Sequence, residues 1–194
     1  MPAPLFFQAA DLLLFQHRSR TNPYYNKKSL ADQNYAAQIK ELIFEKTVCW
    51  GELVEQQLPR KRYGYIKHRV WTQGTHLRRY SWGHFFLSDL RDKAFYFTLG
   101  VDSGETEDAK AWAADGVAPT PALILKIDGH FAKGGTLTLE QHMNQLQTVL
   151  DAARWHRIGY DELSAYTWPR LVAETTAFME RYEGDLRRIM IAVT

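Results

Sequence analysis

Between Tyr63 and Val101 the chain offers three β-type runs separated only by turn-length spacers, and this limits its fold more than any other feature. Tyr63-Gly64-Tyr65-Ile66-Lys67-His68-Arg69-Val70-Trp71 is rich in β-branched and aromatic residues, Thr72-Gln73-Gly74-Thr75 supplies a turn, and a return strand runs from His76 to Leu87. Asp89 to Lys93 then turns the chain into a third strand, Ala94 to Val101. No helix-length crossover intervenes, so the strands are expected to pair antiparallel, as a meander. A fourth strand, Ala122 to Ile127, follows Pro121 and is expected to end at Asp128-Gly129.

Helical periodicity lies on either side. Leu5, Phe6, Ala9, Leu12, Leu13 and Phe15 share one face of a helix over residues 4–18. Ser29 with Asp32 opens a second helix through Tyr35, Ile39, Leu42 and Ile43 to Lys46. A short third helix carries Trp50, Leu53, Val54 and Leu58 and is closed by Pro59. Beyond the sheet, Thr138 with Gln141 caps a helix through Met143, Leu146, Val149 and Ala153, a segment expected to extend to Trp155 and His156. A last helix starts near Thr167 with Pro169 in its first turn, and Gly184 is a candidate break. The expectation is an α+β fold: a mostly antiparallel sheet of four or more strands flanked by N-terminal and C-terminal helices. All 194 residues are read as a single domain, with a helical part at 1–59, a sheet at 60–128 and helices at 138–194.

Composition narrows the function classes. With 45% hydrophobic residues, 24% charged and a net charge of +2, the chain is read as a globular protein. Cys49 is the sole cysteine, which excludes an intramolecular disulfide and a cysteine-rich zinc site and suits a reducing cytoplasm. No apolar run approaches the roughly 20 residues of a membrane span, so a cytoplasmic protein without membrane contact is expected.

The mild net charge conceals a basic block. From Arg60 to Ser88 there is no acidic residue, yet there are seven cations: Arg60, Lys61, Arg62, Lys67, Arg69, Arg78 and Arg79. Seven aromatics, Tyr63, Tyr65, Trp71, Tyr80, Trp82, Phe85 and Phe86, are interleaved with them, together with His68, His76 and His84. Cations neutralise phosphates and aromatic faces stack on bases, a combination that suits nucleic acid. The competing reading is ordinary packing, because strand aromatics are usually core and strand cations usually solvated. Alternation places Tyr63, Tyr65, Lys67, Arg69 and Trp71 on one face of the first strand, opposite Ile66 and Val70. A face mixing three aromatics with two cations suits a ligand better than a core. On the return strand Arg78, Tyr80, Trp82, His84 and Phe86 share a face.

Enzymatic signals are sparse. No phosphate-binding glycine loop, dinucleotide fingerprint or His-Glu-x-x-His occurs, so no cofactor and no metal is expected. An acid–base or metal role would fall to His84 with Asp89, to His130 with Asp128, or to Asp102 with Glu107 and Lys110, none at regular ligand spacing.

The stretch Tyr80-Ser81-Trp82-Gly83-His84-Phe85-Phe86-Leu87-Ser88-Asp89, followed by Lys93-Ala94-Phe95-Tyr96-Phe97-Thr98-Leu99-Gly100, resembles the strand, acidic turn and strand of the N-terminal DNA-reading domain of McrB-type modification-dependent restriction enzymes. The run Trp168 to Phe178 is similar to that domain's closing helix. The resemblance covers roughly residues 60–100 and 165–183. It implies a domain that flips a modified cytosine into an aromatic pocket supplied by the strand and loop before the quoted pair, which here carry Tyr63, Tyr65 and Trp71. The GTPase part of such enzymes has no counterpart, so any cleavage would come from a separate nuclease or GTPase subunit.

The function expected is thus a noncatalytic DNA-binding module sensing a modified base in a restriction or phage-defence system. Phosphates would be held by the seven cations and a base stacked by Tyr63, Tyr65, Trp71, Tyr80 or Trp82, with His84 as a polar contact. The alternatives are an enzyme acting on nucleotide or nucleic acid through His84, Asp89 and Asp102, and a protein-interaction domain using the aromatic face.

Overall fold

The computed structural model describes residues 5–21, 25–68, 70–73, 76–89, 95–106, 109, 119–129 and 155–193. The expected helix at 138–153, the turn at Gly74-Thr75 and Arg69 lie outside the described residues.

The first helix, α1 (Ala9–Thr21), starts later than its apolar pattern suggests, because the Asp11 carboxylate accepts the Gln8 backbone N–H and fixes the entry. Leu12 and Phe15 are buried, whereas Leu5 and Leu13 are exposed. Ser29 caps α2 (Leu30–Ile39) by accepting the Asp32 N–H, as its spacing suggests. The helix does not stop at Lys46. A π-helical turn, Lys40–Glu45, joins α2 to α3 (Lys46–Gln57) in one rod. The wider turn shifts the register, so that Ile39, Ile43, Phe44, Trp50 and Val54 are all buried. Lys46 is only 5% exposed; its ammonium donates to Asp11 at 2.7 Å and to the Phe6 carbonyl at 3.2 Å. Leu58 turns extended ahead of Pro59 and ends the rod.

Among the described residues seven strands follow: β1 (Tyr63–Lys67), β2 (Thr72–Gln73), β3 (His76–Leu77), β4 (Tyr80–Leu87), β5 (Phe95–Asp102), β6 (Ala122–Gly129) and β7 (Trp155–Gly159). Five of them form an antiparallel sheet in the order β1-β4-β5-β6-β7, and β2 pairs with β3 in a separate ribbon. The expected hairpin is therefore interrupted. Continued unbroken, the Thr72–Leu77 pairing would set Lys67 against Trp82, but Lys67 lies opposite Gly83, so the return strand carries one extra residue. β6 runs through Asp128 and Gly129, which pair with Tyr96 and Phe95, rather than ending before them. β7 corrects a second expectation: Trp155 and His156 belong to an edge strand hydrogen-bonded to β6, not to a helix.

Residues paired directly across an antiparallel sheet share a face, and the register sorts the side chains into two sets. Phe85, Leu87, Phe95, Phe97, Leu99, Val101, Leu123, Leu125, Ile127 and Ile158 form the apolar face, and all are buried in the core. Against it pack α3 and the closing helix α4 (Trp168–Val193). Trp50, wholly buried, donates its indole N–H to Thr175 of α4 at 3.0 Å, and Phe97 meets Phe178 edge-on. Pro169 lies in the first turn of α4 as expected, and Gly184 does not interrupt the helix, where a side chain would have open space. The fold is α+β, with the described helices at its two chain ends. Among the described residues no helix is long and apolar enough to cross a membrane.

Candidate functional site

The face of β1 carrying Tyr63, Tyr65 and Lys67 points toward the helices, which corrects the view that it suits a core poorly. Tyr63 is 5% exposed and donates its phenol hydrogen to Glu183 of α4 at 2.5 Å. Tyr65 stacks on Phe85 with centroids 4.5 Å apart, and its phenol end lies so close to Gly51 and Gly83 that neither position has room for a side chain. Lys67 pairs with Glu52 of α3 at 2.8 Å. The preceding helix α3 and the distant helix α4 thus supply carboxylates to this mixed face, and α3 supplies glycine backbone to its largest ring. Trp71, half-buried beyond the end of β1, packs edge-on against Tyr25 at 5.5 Å.

The cations do not form one patch. Arg62 pairs with Glu183 at 2.6 Å, and Glu183 is held on its other side by Arg187, which also binds Asp89. Arg60 and Lys61 are exposed in the turn before β1 and make no ion pair among the described residues. Arg78 and Arg79 stand at the other end of β4. Arg62 is level with Ser88, eight residues from Tyr80, so the two basic ends are about 26 Å apart at 3.3 Å per residue.

Opposite the helices, the second face of the sheet gathers Tyr80, Trp82 and His84 of β4 with Tyr96 of β5. His84 stacks on Tyr96 at 3.9 Å, Trp82 lies 4.9 Å from His84, and Tyr80 lies 4.5 Å from Trp82. His68, in the interruption after β1, fills the angle between Trp82 and His84 at 5.0 and 4.9 Å. The Arg78 guanidinium lies 5.9 Å from the centres of both Tyr80 and Trp82, making no ion pair among the described residues. Arg78, Arg79 and Tyr80 line a cleft of about 500 Å³ with His76, Leu77, Glu105 and Thr106. Arg79 donates to the Glu105 carbonyl at 3.2 Å, and Glu105 is in turn held by Arg20 of α1.

This row also contains Tyr96, Thr98 and Lys126, which the sequence did not single out as site residues, and Asp128, which it paired with His130 instead. Thr98 lies opposite His84 on one side and Lys126 on the other, and Tyr96 lies opposite Asp128. Lys126 and Asp128 form an ion pair at 2.8 Å. Polar residues at alternate positions of otherwise apolar strands were the available signal, since Thr98 and Lys126 each break a hydrophobic run. Burial, then the Arg78 charge, pushes the His68 imidazolium down, so this ring favours the neutral form at neutral pH. Burial, then the Asp128 carboxylate, pushes the Tyr96 phenol up and keeps it protonated.

The residues of the enzymatic alternative are not brought together. Asp89 is bound by Arg187 beyond the end of β4, about 16 Å along the strand from His84. Asp102 accepts the Gly104 N–H at 2.7 Å and the Thr106 hydroxyl, which makes it an organiser of the turn after β5. Glu107, Lys110 and His130 lie outside the described residues. Among the described residues no three metal-ligating side chains cluster. Burial and Glu52 raise the pKa of the Cys49 thiol, the opposite of what a nucleophile needs.

A second cleft of about 510 Å³ runs along α4. There Glu174 accepts from Arg170 at 2.9 Å, Tyr166 at 3.0 Å and His156 at 3.2 Å. Burial pushes that carboxyl up, but these three donors outweigh it and hold it below its ordinary value. These four polar groups satisfy one another, as in a structural cluster.

Comparison with protein-family models, with curated proteins and with solved structures finds no match for this chain.

Proposed function

We propose that the chain is a noncatalytic DNA-binding module that holds a base, modified in its natural target, against the Tyr80–Trp82 end of the aromatic row. One observation carries this reading: a guanidinium with no carboxylate partner among the described residues, Arg78, that lies beside two adjoining aromatic rings and lines a 500 Å³ cleft with the first of them, Tyr80. A cation beside stacking surfaces suits a phosphate and its attached base, each stack contributing about 1–3 kcal/mol. The base-stacking role passes from Tyr63 and Tyr65, which pack under the helices, to Tyr80 and Trp82, with His84 beside them. Such a sensor serves a restriction or phage-defence system, with cleavage left to a separate nuclease or GTPase subunit.

The test is the salt dependence of duplex binding. Arg62 and Lys67 already have carboxylate partners, which leaves Arg60, Lys61, Arg78 and Arg79 among the described basic-block residues. Four phosphate contacts give a log–log slope no steeper than about −4. A flat response refutes the electrostatic part of the reading.

A further inference from the structure

We infer that the base taken beside Trp82 is read through oxygen acceptors, so that the preferred modification carries oxygen rather than being a plain alkyl group. The inference rests on the DNA-binding reading above and adds the chemistry of the ligand. Among the described residues, two buried nitrogens at the Arg78 end of the row, Trp82 Nε1 and Arg78 Nε, have no hydrogen-bond partner. Both can only donate. The Thr98 hydroxyl, 2% exposed, also lacks a partner among the described residues and lies on the same face one register step from Trp82. The residue opposite Trp82 is Gly100, which places no side chain between them, and the Ser81 carbonyl behind it allows none. Buried donors without acceptors are costly, and a ligand that supplies acceptors recovers that cost while an alkyl group cannot. Donor-only nitrogens next to stacking rings therefore select a flat ring whose edge presents a carbonyl or similar oxygen.

The experiment measures binding of labelled duplexes that differ at one central cytosine, which is unmodified, 5-methylated or 5-formylated. The parent is compared with Trp82→Phe, which keeps a stacking ring and loses the N–H, and with Thr98→Val, which keeps the shape and loses the hydroxyl. The parent should bind the formyl duplex at least fivefold more tightly than the methyl duplex, and at least one folded variant should bring that ratio close to one. Thermal melting identifies the folded variants, and either one is sufficient for the comparison. Equal or tighter binding of the methyl duplex by the parent overturns the inference and leaves DNA binding standing. A formyl preference unchanged in the folded variants also overturns it. Failure of the parent to bind any duplex removes both the inference and the reading on which it rests.

Discussion

Replacing Glu183 by Gln tests whether the start of β1 is locked to α4 by charge. The Glu183 side chain is 4% exposed, and it accepts from Tyr63 at 2.5 Å, Arg62 at 2.6 Å and Arg187 at 2.8 Å. Hydrogen bonds to a buried charge are worth about 1.5–3 kcal/mol each, but the amide oxygen keeps one acceptor site. Arg62 is half-exposed and can be resolvated, and Arg187 retains Asp89, so the loss falls short of the full sum. The expected destabilisation is about 2–3 kcal/mol, which for a chain of this length lowers Tm by roughly 5–10 °C. Tyr63→Phe should cost about 1–2 kcal/mol, and the two changes should be non-additive because they share a bond. The pH dependence gives a second readout. Burial pushes the Glu183 carboxyl up, but Tyr63, Arg187 and Arg62 outweigh it and hold the folded value below the ordinary 4.5. The unfolded chain therefore takes up a proton first, and the stabilisation is present above 4.5 and lost as pH falls through the folded value. Urea unfolding of parent and variant from neutral to acid pH should show their stabilities converging. A difference below about 0.5 kcal/mol at neutral pH, or one that ignores acid, would refute the lock.

Tyr65→Ala should cost about 2–4 kcal/mol of folding free energy by removing the ring stacked on Phe85, as urea titration would record. Any loss of DNA binding should follow only the unfolded fraction, and a stable variant with weakened binding would return Tyr65 to the binding surface. His68 titrates below 6.5 in the fold, so between the folded value and 6.5 the unfolded chain binds more protons. Stability should therefore rise with pH across that window, and His68→Gln should flatten that part of the profile; an unchanged profile would contradict the assignment.

Local signals were legible wherever one short segment settles its own conformation. The Ser29 cap, the stop at Pro59, the start of α4 at Trp168-Pro169 and the antiparallel order of β1, β4, β5 and β6 all follow from neighbours in sequence or from the lack of a crossover. The facing of β1 was not legible, because alternation separates two faces without saying which is covered. The cover comes from Gly51 and Glu52 and from Glu183, the last 120 residues from its partner Tyr63. The burial of Lys46 has the same kind of cause: its partner Asp11 belongs to another helix. β7 is a five-residue edge strand containing Trp, His and Arg, with a single buried aliphatic residue, Ile158, and so it lacks the apolar alternation that marks β5 and β6. Half of the candidate site was visible as Arg78, Tyr80, Trp82 and His84 on one strand face. The other half, Tyr96, Thr98, Lys126 and Asp128, is assembled by register across β5 and β6.

The most direct measurement of the central claim is the affinity of parent and Trp82→Ala for one duplex with a modified cytosine and for its unmodified counterpart, at a salt concentration where both bind. Loss of a base stack should weaken the modified duplex by about 1–3 kcal/mol, roughly fivefold to a hundredfold, and the unmodified duplex by less. A folded Trp82→Ala that binds both duplexes as the parent does would contradict the claim that the aromatic row holds the base.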